Sequence, residues 1–133
     1  MNEIGGKLKN CLSGIPEIQL AFLFGSEAAG SPRTDSDVDI AVLYRHNQLP
    51  GSDALLELND RLTALLKREV DLVVLNRASP IIRMQVLKHG KKIIEKDHRV
   101  YADFFVRTIN EYDDLKRVRA VVEKNIMKGG IYG

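Results

Sequence analysis

Two aspartates one residue apart, Asp37 and Asp39, stand at the start of an apolar run that continues to Tyr44. Successive side chains of a strand point to opposite faces, so both carboxylates would share one face, about 6 to 7 Å apart along the strand. Like charges at that distance repel unless a cation lies between them. A hard divalent cation with oxygen ligands, such as Mg²⁺, suits this pair. The alternative is a solvated aspartate pair on an edge strand.

Gly25 and Ser26 follow an earlier apolar run, ten residues before Asp37. Gly25 has no Cβ, so its backbone can approach a ligand closely. Ser26 is a good N-cap for a short helical segment over residues 27–30. A helix N-terminus presents free N–H groups and the positive end of the helix dipole, which together suit a phosphate. A phosphate cradle beside metal-binding carboxylates is the equipment for phosphoryl or nucleotidyl transfer.

The apolar pattern predicts the elements that position these groups. Strands are expected over residues 18–24, 37–44, 69–75 and 92–95. Helices are expected over residues 3–13, 52–67, 79–89 and 97–127, and a loop over 31–36. The long last helix would carry one apolar stripe, formed by Phe105, Ile109, Tyr112, Leu115, Val118 and Val122. This order of elements predicts a small α/β domain.

Asp71 is the unusual residue of the third predicted strand, where Val70 and Leu72 flank it. A carboxylate in such a run is expensive to bury without a partner. Two interpretations are open from the residues alone. Asp71 lies at the exposed mouth of the strand or pairs with an arginine, or it belongs to the same site as Asp37 and Asp39.

The spacing Gly25-Ser26, ten residues, then Asp37-Val38-Asp39 resembles the G-S-x10-D-x-D signature of the DNA-polymerase-β-like nucleotidyltransferases. The resemblance implies a mixed sheet in which the Gly-Ser strand is central and the helices lie mostly on one side. It also implies a third carboxylate on a neighbouring strand beside the aspartate pair, and Asp71 matches that setting. The short length and the segment over residues 75–97 look like the minimal nucleotidyltransferases, or MNT domains, of the HepT/MntA pairs. The whole chain, 1–133, would then be one such domain.

That resemblance implies a chemistry and a partner. ATP would be the substrate, Asp37, Asp39 and Asp71 would bind two Mg²⁺ ions, and Gly25 and Ser26 would hold phosphates. Asp71 would act as metal ligand or as base. AMP would pass to a tyrosine of a HEPN-type RNase toxin encoded by the adjacent gene, in a hetero-oligomer, and silence it. The chain departs from many relatives at Glu27, where they often carry a basic residue, and at Ala29, where they often carry an arginine.

The composition limits the binding partners and the cellular compartments that are expected. Twenty basic and eighteen acidic residues leave a net charge of +2, which argues against nucleic-acid binding through bulk charge. A single cysteine requires no oxidising compartment. The N-terminus shows no signal-peptide pattern and no apolar run approaches the roughly 20 residues that span a bilayer, so a cytoplasmic location without membrane contact is expected. The basic cluster of Arg83, Lys88, Lys91 and Lys92 reads more readily as a solvated face than as a triphosphate contact.

Two other functions stay open. The chain could transfer a nucleotide to a small molecule, as aminoglycoside nucleotidyltransferases do, although those usually carry an extra domain for the acceptor. It could also neutralise its partner by binding alone. The first of these is a different enzyme, and the second is not an enzyme.

Overall fold

The apolar runs of the sequence form the strands of one four-stranded sheet. The computed structural model describes residues 3–25 and 37–127. In chain order the elements are α1 (Glu3–Ser13), β1 (Ile18–Phe24), β2 (Val38–Tyr44), α2 (Ser52–Leu66), β3 (Val70–Val74), α3 (Pro80–His89), β4 (Lys91–Glu95) and α4 (His98–Met127). Each lies within about a residue of its predicted bounds. The predicted helical segment over 27–30 and the loop over 31–36 lie outside the described residues.

The sheet is mixed, with the strand order β3-β2-β1-β4. β1 is antiparallel to both of its neighbours, β2 and β4, whereas β2 and β3 are parallel. The C-terminal end of β1 therefore meets the N-terminal ends of β2 and β3 at one edge of the sheet. The prediction of a mixed sheet with the glycine-bearing strand in its interior is confirmed.

Apolar side chains point to both faces of the sheet and form two separate cores. One core joins the sheet to α1 and α2 through Leu8, Leu12, Leu58, Leu62 and Leu66. The other joins the opposite face to α3 and α4 through Val86 and Phe104, which pack with Leu20, Phe22 and Ala41. The expectation that the helices lie mostly on one side is therefore corrected. Because β1 and β2 are apolar on both faces, each face requires its own helical layer.

The first third of α4 packs on the sheet and the rest leads away from it. Its core-facing side chains include Phe104 and Thr108, which are buried. Of the predicted apolar stripe, Ile109, Tyr112 and Leu115 are half-buried, whereas Phe105, Val118 and Val122 are exposed. The predicted helix is confirmed, but its fully buried side chains, Phe104 and Thr108, lie one position away from the stripe. No helix within the described ranges is long and apolar enough to cross a membrane.

One arginine fastens α3 to α4. Arg83 lies in α3 with only 13% of its side chain exposed, and its Nη2 donates to Oε1 of Glu111 at 2.5 Å. Its Nε donates to the carbonyl oxygen of Ala78 at 3.1 Å. The guanidinium group therefore joins two helices and the loop that precedes α3. An ion pair whose arginine is largely buried and makes a second hydrogen bond contributes more stability than an exposed pair.

Candidate active site

Asp39 is the second residue of β2, and the alternation of side chains along this strand sets the face to which it points. Val38 and Ile40 are fully buried against α1 and α2, so the side chain between them points to the face that carries α3 and α4. In the sheet register Asp39 lies opposite Phe24 on β1 and opposite Asp71 on β3. Two aspartates on adjacent parallel strands therefore stand side by side, about one strand spacing, or 4.8 Å, apart at the backbone.

Gly25 directly follows β1 and lies beside Asp39. Its φ of +77° lies in the left-handed region that favours glycine. A Cβ at this position would overlap Oδ2 of Asp39 and lie 3.1 Å from the carboxylate carbon. The backbone of the turn therefore packs against the Asp39 carboxylate, and no larger residue fits there without moving it.

The burial and the neighbouring carboxylates at this edge of the sheet disfavour the ionised form of Asp39. Burial raises the pKa of Asp39 above its ordinary value, and the carboxylates of Asp71 and Asp37 raise it further. Asp37 and Asp71 are themselves exposed, whereas Asp39 is half-buried. The two exposed carboxylates therefore act on the half-buried one, and both favour the protonated form of Asp39.

The structure brings together most of the residues that the sequence singled out. Gly25 and Asp71 adjoin Asp39 from opposite sides, and Asp37 precedes β2 by one residue. Ser26 lies outside the described residues. Within the described part of the chain, no three His, Cys, Asp or Glu side chains are arranged so that they could hold one metal ion. The metal-binding role of the carboxylates therefore stays a prediction.

One cation on the same sheet face, Lys92, is already engaged. Lys92 of β4 lies opposite Phe22, and its Nζ is 3.8 Å from the centre of the Tyr101 ring. The same ammonium group donates to Glu95, whose other carboxylate oxygen is 3.1 Å from Nδ1 of His98. The hydrogen bond from Lys92 lowers the pKa of Glu95. Because Lys92 is paired in this way, it does not stand free as a triphosphate contact.

Comparison with known proteins relates both the sequence and this geometry to nucleotide-transferring proteins. The family model described as polymerase beta, nucleotidyltransferase matches residues 6–99. Protein adenylyltransferase MntA of Shewanella oneidensis is 34% identical over 122 residues, which cover 90% of this chain and 84% of that protein. The family model spans the glycine turn and all three aspartates.

Solved structures agree with the sequence relatives. A chain from a crystal structure of a toxin-antitoxin with AMP-PNP matches with a TM-score of 0.79 and 34% identity, covering 92% of this chain and 98% of that one. A chain from the structure of the tri-AMPylated Shewanella oneidensis HEPN toxin in complex with MNT antitoxin matches with a TM-score of 0.71 and 30% identity, and the same shares of each chain are covered. The likeness therefore extends over nearly the whole fold.

Proposed function

Because this chain belongs to the polymerase β nucleotidyltransferase family, and within it to the MntA protein adenylyltransferases, we propose that it is an antitoxin that transfers AMP from ATP to a partner toxin. The acceptor is a tyrosine of a HEPN-type RNase toxin encoded by the adjacent gene, and the modification silences that toxin. The observation that carries the proposal is the position of Asp39, which lies beside Asp71 on one side and against the Gly25 turn on the other.

We assign the metal-binding role to Asp37, Asp39 and Asp71, which would hold two Mg²⁺ ions. The donor set fits a hard cation, since all three donors are carboxylates and two of them raise the pKa of the third. When bound, the ions neutralise charge on the triphosphate and lower the pKa of the attacking hydroxyl group. Asp71 lies on the outer, exposed side of the pair and either binds metal or accepts the hydroxyl proton.

The turn after β1 supplies the phosphate contacts in this proposal. Gly25 has no Cβ to fill the space beside Asp39, and its left-handed backbone also favours glycine. Backbone N–H groups near Gly25, together with Ser26, would donate hydrogen bonds to the β- and γ-phosphates. In-line attack of the tyrosine oxygen on the α-phosphorus then forms the phosphodiester bond to AMP and releases pyrophosphate, while the phenolic proton goes to the base.

The relatives support both the nucleotide and the partner. One related structure contains AMP-PNP, an ATP analogue, and another contains a tri-AMPylated HEPN toxin bound to its MNT antitoxin. This chain covers almost the full length of both related chains, so it has the same elements available to hold a nucleotide and a toxin. We propose a hetero-oligomer with the toxin and a cytoplasmic location.

The experiment is the intact mass of the adjacent-gene toxin after incubation with this protein, ATP and Mg²⁺. We expect a gain of one or more AMP units that is absent with Asp37→Ala, and peptide fragmentation should place it on tyrosine. A stable complex without any mass gain would replace the enzyme by an antitoxin that acts through binding. If the toxin neither gains mass nor forms a complex, transfer to a small molecule would be favoured instead.

A further inference from the structure

A cavity of about 610 Å³ lies at the end of the sheet opposite the aspartates. Its walls are the C-terminal end of β2, the residues that follow it, and the first turns of α4. Arg45 comes six residues after Asp39 along nearly straight chain, so the cavity is about 20 Å from the carboxylate edge at roughly 3.3 Å per residue. Neither Asp39 nor Asp71 lines it. The cavity is therefore separate from the site proposed for nucleotidyl transfer.

The charged groups around this cavity leave a positive excess. Three arginines line it, Arg45, Arg99 and Arg107, together with two aspartates. Both aspartates are already bonded: Asp103 accepts from Arg107 at 2.9 Å, and Asp97 accepts from the backbone N–H of Arg99 at 2.9 Å. Within residues 3–25 and 37–127, no hydrogen bond or ion pair of the structure involves the guanidinium groups of Arg45 and Arg99. Two cationic forks are thus available to a ligand.

The floor of the cavity is apolar and firmly held. Leu43, Val100 and Phe104 line it, and all three belong to the core between the sheet and α4. The wall beside Arg45 is fixed by Asn76, whose Oδ1 accepts from the backbone N–H of Tyr44 at 2.9 Å. The Nδ2 of the same side chain donates to the Tyr44 carbonyl at 3.0 Å. The side-chain amide continues the β2 ladder, so this wall of the cavity is held in place without a ligand.

We propose that this cavity binds a small organic phosphate with a planar or apolar body. The volume lies within the roughly 300–1,000 Å³ that small-molecule sites occupy. A guanidinium group binds a phosphate through two parallel hydrogen bonds. A phosphomonoester offers three terminal oxygens, enough for Arg45 and Arg99 together, whereas a carboxylate offers only two. The apolar body of the ligand would lie on Phe104 and its neighbours, and His46 at the rim adds a further ring nitrogen.

Binding of phenyl phosphate to the full chain tests this proposal without ATP, toxin or Mg²⁺. NMR titration in EDTA should shift the backbone amides of residues 43–46 and 99–104. The double variant Arg45→Ala/Arg99→Ala should weaken binding by about tenfold or more, the loss expected for charge-assisted hydrogen bonds. Inorganic phosphate, which has no body to cover the floor, should bind more weakly to the parent protein than phenyl phosphate does.

Two control variants make the result specific. Arg117→Ala/Arg119→Ala removes the same charge from the exposed part of α4 and should leave the affinity unchanged, as should Asp39→Asn. Unchanged affinity in the Arg45/Arg99 variant, or an equal loss in the Arg117/Arg119 variant, would overturn the proposal. So would shifts confined to the Asp39 edge, or no binding by the parent protein. If inorganic phosphate bound as tightly as phenyl phosphate, the proposal that the ligand has an organic body would be overturned.

Discussion

Replacing Asp39 by asparagine should stabilise the metal-free protein while it abolishes transfer. The variant removes a half-buried charge that faces Asp71 across one strand spacing and is repelled by Asp37, two residues earlier in the chain. Coulomb's law gives roughly 0.8 kcal/mol for two unit charges about 5 Å apart at the dielectric constant of water. Salt screening reduces this value and the desolvation of Asp39 adds to it. We therefore expect the free energy of unfolding to rise by about 0.5 to 1 kcal/mol.

The dependence on pH follows from the raised pKa of Asp39. The folded protein holds this proton more tightly than the unfolded chain, so stability falls as pH rises from about 4 through the raised value. Asp39→Asn lacks this loss. The difference between variant and parent should therefore be close to zero below the ordinary aspartate pKa and reach its full size above the raised one.

The assay is urea unfolding in EDTA, followed by circular dichroism because the chain has no tryptophan. Asp60→Asn, at an exposed position in the middle of α2, is the matched control and should change stability by less than about 0.5 kcal/mol. The advantage of Asp39→Asn should shrink in about 1 M NaCl. A loss of about 2 kcal/mol or more, the size of a core lesion, would contradict this prediction, because it would mean that Asp39 makes a structural bond.

Three further substitutions test the packing that supports the two sites. Gly25→Ala should lower the free energy of unfolding by about 1 to 3 kcal/mol and reduce transfer, because the backbone is left-handed and the methyl group has no space; Gly6→Ala, where the space is open, should cost nothing. Arg83→Ala should cost about 1.5 to 3 kcal/mol, since two helices lose a partly buried ion pair, whereas the exposed Arg117→Ala should cost less than about 0.5 kcal/mol. Asn76→Ala should cost about 1 to 3 kcal/mol, because two backbone groups of β2 lose their partner. Urea midpoints at constant slope measure all of these. Equal losses for Gly25→Ala and Gly6→Ala, equal losses for Arg83→Ala and Arg117→Ala, or an unchanged midpoint in Asn76→Ala would contradict the assignment concerned.

The elements could be predicted from the sequence because each carries a strong local pattern. β1 is apolar at every position except Gln19, and α3 is preceded by Ser79, whose hydroxyl oxygen accepts from the Ile82 N–H at 3.3 Å as a helix cap should. The faces could not be predicted in the same way. An apolar stripe shows that a helix packs on something, but it does not show on which side of the sheet, and α4 exposes part of its stripe.

Part of the candidate site is local and part is not. The Gly25 turn and the Asp37-Val38-Asp39 spacing are visible in one short stretch of sequence, so they could be identified directly. The position of Asp71 opposite Asp39 depends on the parallel register of β2 and β3, which is a long-range property, and only the resemblance to a family indicated it. The arginine-lined cavity was missed for the same reason, because Arg45 and Arg99 come together only in the fold.

The most direct test of nucleotidyl transfer by this protein follows the phosphorus atoms of ATP. The protein is incubated with its adjacent-gene toxin, Mg²⁺ and ATP labelled at either the α- or the γ-phosphate. We expect that only the α-label enters the toxin, that Asp60→Asn transfers it normally, and that Asp39→Asn does not transfer it. Incorporation of the γ-label, or transfer that persists in Asp39→Asn, would contradict nucleotidyl transfer at this carboxylate edge.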